Sequence, residues 1–164
     1  MKKIQFYSTA AILAAVLFSC NSGTQETKTE SHEEHEHATT ATSDTVVIAE
    51  GQSVNFANLK SGDVVKGPVV FKFQVRGMQV QSIDSGIQSN KGHHHLLIDT
   101  MAYIPAGQPI PVIENRIVHF GKGQTESKPV ELSKGKHKIS LQFADGVHRS
   151  YGQKMSATVE IEVK

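Results

Sequence analysis

Residues 46–164 predict an all-β domain, an immunoglobulin-like β-sandwich of about seven strands, with a small β-barrel as the alternative. Three observations carry this expectation. Apolar and polar residues alternate with a period of two in several segments, and no helical stripe is sustained. Turn residues punctuate the region about every eight to twelve positions. The chain has no tryptophan, and its single cysteine, Cys20, lies outside the region, so an antibody-type disulfide-and-tryptophan core is excluded.

The elements follow in order. Residues 46–49 and 53–57 read as short strands, and Gly67-Pro68 supplies a turn. "VVFKFQVRGMQV" then puts Val69, Phe71, Phe73 and Val75 on one face and Lys72, Gln74 and Arg76 on the other. Residues 93–99, 112–118 and 128–132 read as further strands, separated by turns at Pro105-Ala106-Gly107 and Gly121-Lys122-Gly123. After Lys134-Gly135, "KHKISLQFAD" sends Ile139, Leu141 and Phe143 inward and Lys138, Ser140 and Gln142 outward. Asp145-Gly146 turns the chain again. "MSATVEIEVK" closes the domain, with Ala157, Val159, Ile161 and Val163 opposite Thr158, Glu160 and Glu162.

Ahead of the domain stand a leader and a tether. Lys2 and Lys3 precede an apolar run, Ala10 to Phe18, that is too short to span a bilayer comfortably. Residues 1–19 therefore read as a signal peptide. Its end, Leu17-Phe18-Ser19-Cys20, resembles a bacterial lipobox, in which the cysteine is lipidated and becomes the first residue. A lipid on Cys20 anchors the chain without a transmembrane helix. It also accounts for a lone cysteine in an exported, oxidising compartment. Asn21 in place of Asp resembles sorting to the outer membrane, with the domain facing the periplasm or the outside. Residues 21–45 contain no Val, Ile, Leu, Phe or Tyr and so cannot bury enough apolar surface to offset ordering entropy. Residues 20–45 are accordingly expected to form a disordered tether.

Charge divides the same way. The tether holds six acids and one lysine, net −5, while residues 46–164 hold 14 Lys/Arg and 10 Asp/Glu, net +4. The basic residues are scattered among acids and no aromatic-rich basic patch exists, which excludes nucleic acid as a partner. The expected partners are the membrane, through the lipid, and an envelope protein.

The chemistry-bearing residues centre on "KGHHHLLIDT". On a strand, His93 and His95 share one face and His94 takes the other. Their Cα atoms stand about 6.5–7 Å apart, close enough for two imidazoles to converge on one ion. His119 and His148 are the candidate third and fourth ligands, with Met155 as a sulfur donor. Asp99 and Asp145 are candidate outer acceptors that would orient an imidazole. Imidazole and thioether without thiolate suit copper first and zinc second. The rival reading is that these histidines only stabilise loops, in a structural or interaction module. His32, His35 and His37 in "HEEHEH" are weak metal-capture candidates within the tether. Gly121, Lys122 and Gly123 offer a weak anion cradle, but "FGKGQTE" lacks the spacing of a phosphate-binding loop. Asp145, His148 and Ser150 or Ser156 could be drawn as a hydrolytic triad, yet no nucleophile elbow surrounds them. The expectation is a binding protein and not an enzyme.

Three blocks, "GHHHLLID" (92–99), "HFGKGQTE" (119–126) and "LQFADGVH" (141–148), together resemble the family of bacterial envelope proteins catalogued as DUF4399, a domain of unknown function. The resemblance covers roughly residues 54 to 163. It implies a compact exported β-domain and transfers no catalytic residue or ligand. One departure is "RSYGQKM" after His148, where family members often carry prolines.

Overall fold

A computed structural model describes residues 48–164. The signal peptide, Cys20 and the tether with His32, His35 and His37 lie outside these residues. Eight strands run in chain order: β1 Ser53–Phe56, β2 Val64–Val65, β3 Phe73–Arg76, β4 Gln79–Val80, β5 Lys91–Ile98, β6 Ile117–Phe120, β7 Gly135–Ala144 and β8 Ser156–Val163. Among the described residues the only helical pieces are two single 3-10 turns, Ile83–Ser85 and Gln153–Met155. The domain is all-β, and its curled sheets form a half-barrel that fits both the sandwich and the small-barrel expectation.

Strands β1 and β3 pair antiparallel as a two-stranded sheet. The larger sheet runs β2-β8-β7-β5-β4, with β6 also paired to β5. β5 is therefore laddered to β7 over His93–Ile98 and to β6 over His94–Leu97. A strand held along both edges keeps its side chains at fixed positions, and this fixes the histidine triplet.

The period-two pattern buries what it predicts on one face of this sheet. Val69, Phe71, Phe73, Leu96, Ile98, Phe120, Ile139, Leu141, Phe143, Val159 and Ile161 form the main core. The opposite face corrects the sequence reading. Ser140 and Gln142, expected to face solvent, are both fully buried. The segment after β5 folds back across them, placing Ile104 and Ile110 over Leu97 and Ala144 as a second apolar cluster. Their polar atoms are satisfied there. Gln142 Oε1 accepts from the Ile104 N–H at 2.9 Å, and its Nε2 donates to the Gly152 and Met155 carbonyls at 3.1 Å each. Ser140 Oγ and Thr158 Oγ1 lie 2.9 Å apart.

Two expected strands are cut short for local reasons. The 128–132 segment makes one antiparallel bridge, Val69 to Val130, because Pro129 has no N–H to extend a ladder. The 112–118 segment becomes a strand only at Ile117. Asn115 sits at φ 58°, and the Arg116 and Ile117 N–H groups both turn back to the Ile113 carbonyl. Of the expected strand 46–49, residues 46 and 47 lie outside the described residues, and 48 and 49 are not strand.

Candidate metal centre

Strand alternation and register assemble the site. His93 and His95 project from the second-cluster face of β5, and His119 on β6 stands directly across from His95. The turn after β7 brings in His148. Ring centroids are 4.7 Å apart for His93–His95, 4.9 Å for His93–His119 and 4.8 Å for His93–His148. They are 5.0 Å for His95–His119, 5.6 Å for His95–His148 and 4.6 Å for His119–His148. One nitrogen from each of the four rings lies within 4.8 Å of the other three. His119 Nε2 and His148 Nε2 are 3.1 Å apart. Two nitrogens on one tetrahedral ion with bonds of 2.0–2.1 Å would be separated by about 3.3 Å. The four histidines could hold a single ion.

His148 and His119 each have a positioning device. His148 adopts a left-handed backbone, φ 66°, which is uncommon outside glycine. Asp145 enforces it. Its Oδ1 accepts from the Val147 and Arg149 N–H groups at 3.0 and 2.8 Å, its Oδ2 accepts from Arg149 Nε at 2.8 Å, and its carbonyl accepts from the His148 N–H at 3.0 Å. The His119 ring lies against Gly121. A Cβ on Gly121 would stand 2.3 Å from His119 Cε1 and 2.5 Å from Nε2, so only glycine leaves room for the imidazole.

Electrostatics keep these rings in the form that binds metal. Burial, then the neighbouring His119 and His148, pushes His93 down to about 4, against a smaller opposing pull from Asp145. Burial, then His93, His119 and His148, pushes His95 down to about 2. Burial and His148 lower His119. These three rings are neutral near pH 7, so an incoming cation need not displace a proton from them. Both nitrogens of His93 and Nδ1 of His95 are buried with no hydrogen-bond partner. An unmade hydrogen bond of this kind costs about 1–3 kcal/mol, and a cation would satisfy the free lone pairs. The residues present fit a transition-metal ion.

The other nominated residues are placed elsewhere. Met155 is fully buried in the main core with Phe71 and Phe143, in the cluster that packs on the His94 side of β5. Asp99 does not orient a ring of the cluster. Its Oδ2 meets His137 Nδ1 at 2.8 Å and Arg116 at 3.5 Å, and its Oδ1 accepts the Lys138 N–H at 2.9 Å. Asp145 holds the backbone of the His148 turn and makes no bond to an imidazole. In the proposed anion cradle the Lys122 N–H already donates to Gln124 Oε1 at 2.7 Å. Ser150 is fully buried, and its Oγ donates to the Ile104 carbonyl at 2.7 Å.

Two features escaped the sequence reading. His94 is a core residue, its ring 5.1 Å from Phe73 and 5.0 Å from Phe143, with both nitrogens buried and unpartnered. Burial pushes it down to about 4, with the Gln124 backbone, outside hydrogen-bond geometry, as the opposing influence. His137 Nδ1 lies 2.8 Å from Asp99 Oδ2 and its Nε2 lies 2.8 Å from the Ser133 carbonyl, contacts that favour the charged ring. Burial opposes that charge, but the bonds to Asp99 and Ser133 outweigh it and raise its pKa. The β5–β7 register, which runs His93↔Ala144 to Ile98↔Ile139, puts residue 99 beside 138, and knowing it would have revealed this pair.

The model of one family, Domain of unknown function (DUF4399), matches residues 71–164, a span that holds all four clustered histidines. No curated protein and no solved structure matches the chain.

Proposed function

We propose that this chain, which belongs to the DUF4399 family, is a non-catalytic binding protein that holds one transition-metal ion on His93, His95, His119 and His148. The observation that carries the reading is the convergence of four imidazoles around buried nitrogens that no protein group satisfies. Four nitrogen ligands favour Cu(II) over Zn(II) by the general order of divalent affinities. The thioether argument for Cu(I) loses its support with Met155 in the core. We place the domain at the outer membrane, held by a lipid on Cys20; the lipobox-like Leu17-Phe18-Ser19-Cys20 supports this.

The rival is a structural or interaction module in which the histidines bond one another. The 3.1 Å His119–His148 contact favours it, since one ring can donate to the other. That single bond leaves both nitrogens of His93 and Nδ1 of His95 unpartnered, whereas a metal would take one nitrogen of each ring.

Thermal unfolding tests the reading. An ion bound only by the folded state adds about 2.7 kcal/mol at a free concentration one hundred times its dissociation constant. For a domain of this size that is a rise in Tm on the order of 10 °C. The rise should appear with Cu(II), be smaller with Zn(II) and be reversed by EDTA. An unchanged Tm with both ions would remove the metal reading.

A further inference from the structure

We infer that the centre is a transfer site: its ion enters and leaves through the His119–His148 side by stepwise ligand replacement, to and from an acceptor that bears imidazole ligands. This rests on the metal reading above.

The four ligands fall into two classes. His93 and His95 are 0% and 2% exposed and sit on β5, which is laddered along both edges. Both rings are enclosed by the fold, so neither reaches solvent while the sheet is intact. His119 is exposed, one residue from the end of β6 and ahead of the Gly121–Gly123 turn, and His148 is half-exposed in the turn after β7. Exposed side chains change rotamer in picoseconds to nanoseconds, whereas a strand in a sheet opens with the fold. The ion therefore rests on a fixed inner pair under an outer pair that solvent reaches.

A closed structural site surrenders its metal only when the fold opens. Here an incoming ligand can take the place of His119, then of His148, while His93 and His95 still hold the ion. No intermediate is then a bare cation, and each step replaces one metal–nitrogen bond with another. Imidazole for imidazole changes neither ligand charge nor softness, which makes a histidine-bearing peptide the natural acceptor. The surroundings suit a chain better than water alone. Val147, next to His148, is 49% exposed, and Ile87 is 59% exposed. The two adjoin one contact, because the Gly146 backbone packs against the Gly86 carbonyl.

The test uses the full chain carrying His32→Ala, His35→Ala and His37→Ala, so that only the domain's histidines report. The protein is loaded with Cu(II), its copper content is measured, and it is mixed by stopped flow with an N-acetylated His-Gly-His tripeptide, which offers imidazoles and no free amine, at increasing concentration. Copper transfer is followed by visible absorption. The inference predicts a rate that rises in proportion to tripeptide concentration and is several-fold higher after His119→Ala. A rate independent of tripeptide and equal to the unfolding rate of the same sample would overturn it and leave a structural metal site. Failure to load copper would be seen before mixing and would remove the functional reading itself.

Discussion

Gly121→Ala isolates the geometry of the metal centre from the stability of the fold. Gly121 lies outside the left-handed region, so its backbone accepts alanine without strain. The obstacle is the His119 ring, which the new methyl would meet at 2.3 Å from Cε1, with the Ile83 Cγ2 methyl at 3.1 Å. Restoring an ordinary carbon–carbon contact moves the ring by about 1 Å, whereas metal–ligand distances tolerate about 0.2 Å. His119 then drops out of the coordination sphere or binds in a distorted pose. Ligand misplacement of this kind costs about 10- to 100-fold in affinity, or about 1.4–2.8 kcal/mol. The metal-free protein should lose only about 1 kcal/mol, since His119 is exposed and can swing into solvent. Competition titration with a chelator gives the first quantity, and urea unfolding followed by circular dichroism in EDTA gives the second. Affinity equal to that of the parent would refute the placement of His119 as a ligand. A large loss of metal-free stability would instead make Gly121 a fold-determining glycine.

Other substitutions probe the surrounding design. His94→Phe should leave metal affinity unchanged and stabilise the metal-free protein by about 1–3 kcal/mol at pH 7.5, because it removes two unpartnered nitrogens from an apolar core. A group whose pKa falls from 6.5 unfolded to about 4 folded takes up its proton first in the unfolded chain. It therefore costs stability as pH falls below 6.5, about 2 kcal/mol between pH 7.5 and 5.0. The advantage of His94→Phe should grow by that amount in urea unfolding at the two pH values, and an advantage that stays constant would contradict the burial of His94. Asp99→Asn should lower the His137 pKa, read by NMR titration. The pair's His137 contribution is complete below the unfolded pKa and is lost as pH rises through the raised folded value. Its Asp99 contribution is present above the unfolded carboxylate pKa and is lost as pH falls through the lowered folded one. Asp145→Ala should cost about 2–3 kcal/mol of stability and weaken metal binding, because it removes the bonds that Asp145 Oδ1 accepts from the Val147 and Arg149 N–H groups and loosens the His148 turn. Unchanged affinity in a folded Asp145→Ala protein would show that His148 is not held by this carboxylate.

The legibility of the sequence follows the range of each interaction. Period two is local, so the strands around Phe73, Ile139 and Val159, and the shared face of His93 and His95, could be read directly. Their buried faces match that reading. What the back of the sheet touches is not local. Gln142 has the sequence pattern of a solvent-facing residue and is buried only because residues some forty positions earlier fold over it. The same holds for His94, whose alternation sends it to the core face without saying that the core leaves its nitrogens unpaired. His119 and His148 could be nominated as loop histidines, but their approach to β5 depends on register and on a left-handed turn. Met155 and Asp99 are candidates on chemistry alone. One faces the other side of the sheet, and the other is engaged by a histidine 38 positions away.

The central claim is that His93, His95, His119 and His148 bind one metal ion, and calorimetric titration of Cu(II) tests it most directly. The titrated protein is the full chain lacking the tether histidines, with a His93→Ala/His95→Ala version alongside. The account predicts one ion per chain with a dissociation constant of about micromolar or tighter, and loss of that binding in the double variant. No heat of binding in the parent, or equal binding in both proteins, would contradict it and return the four histidines to architecture.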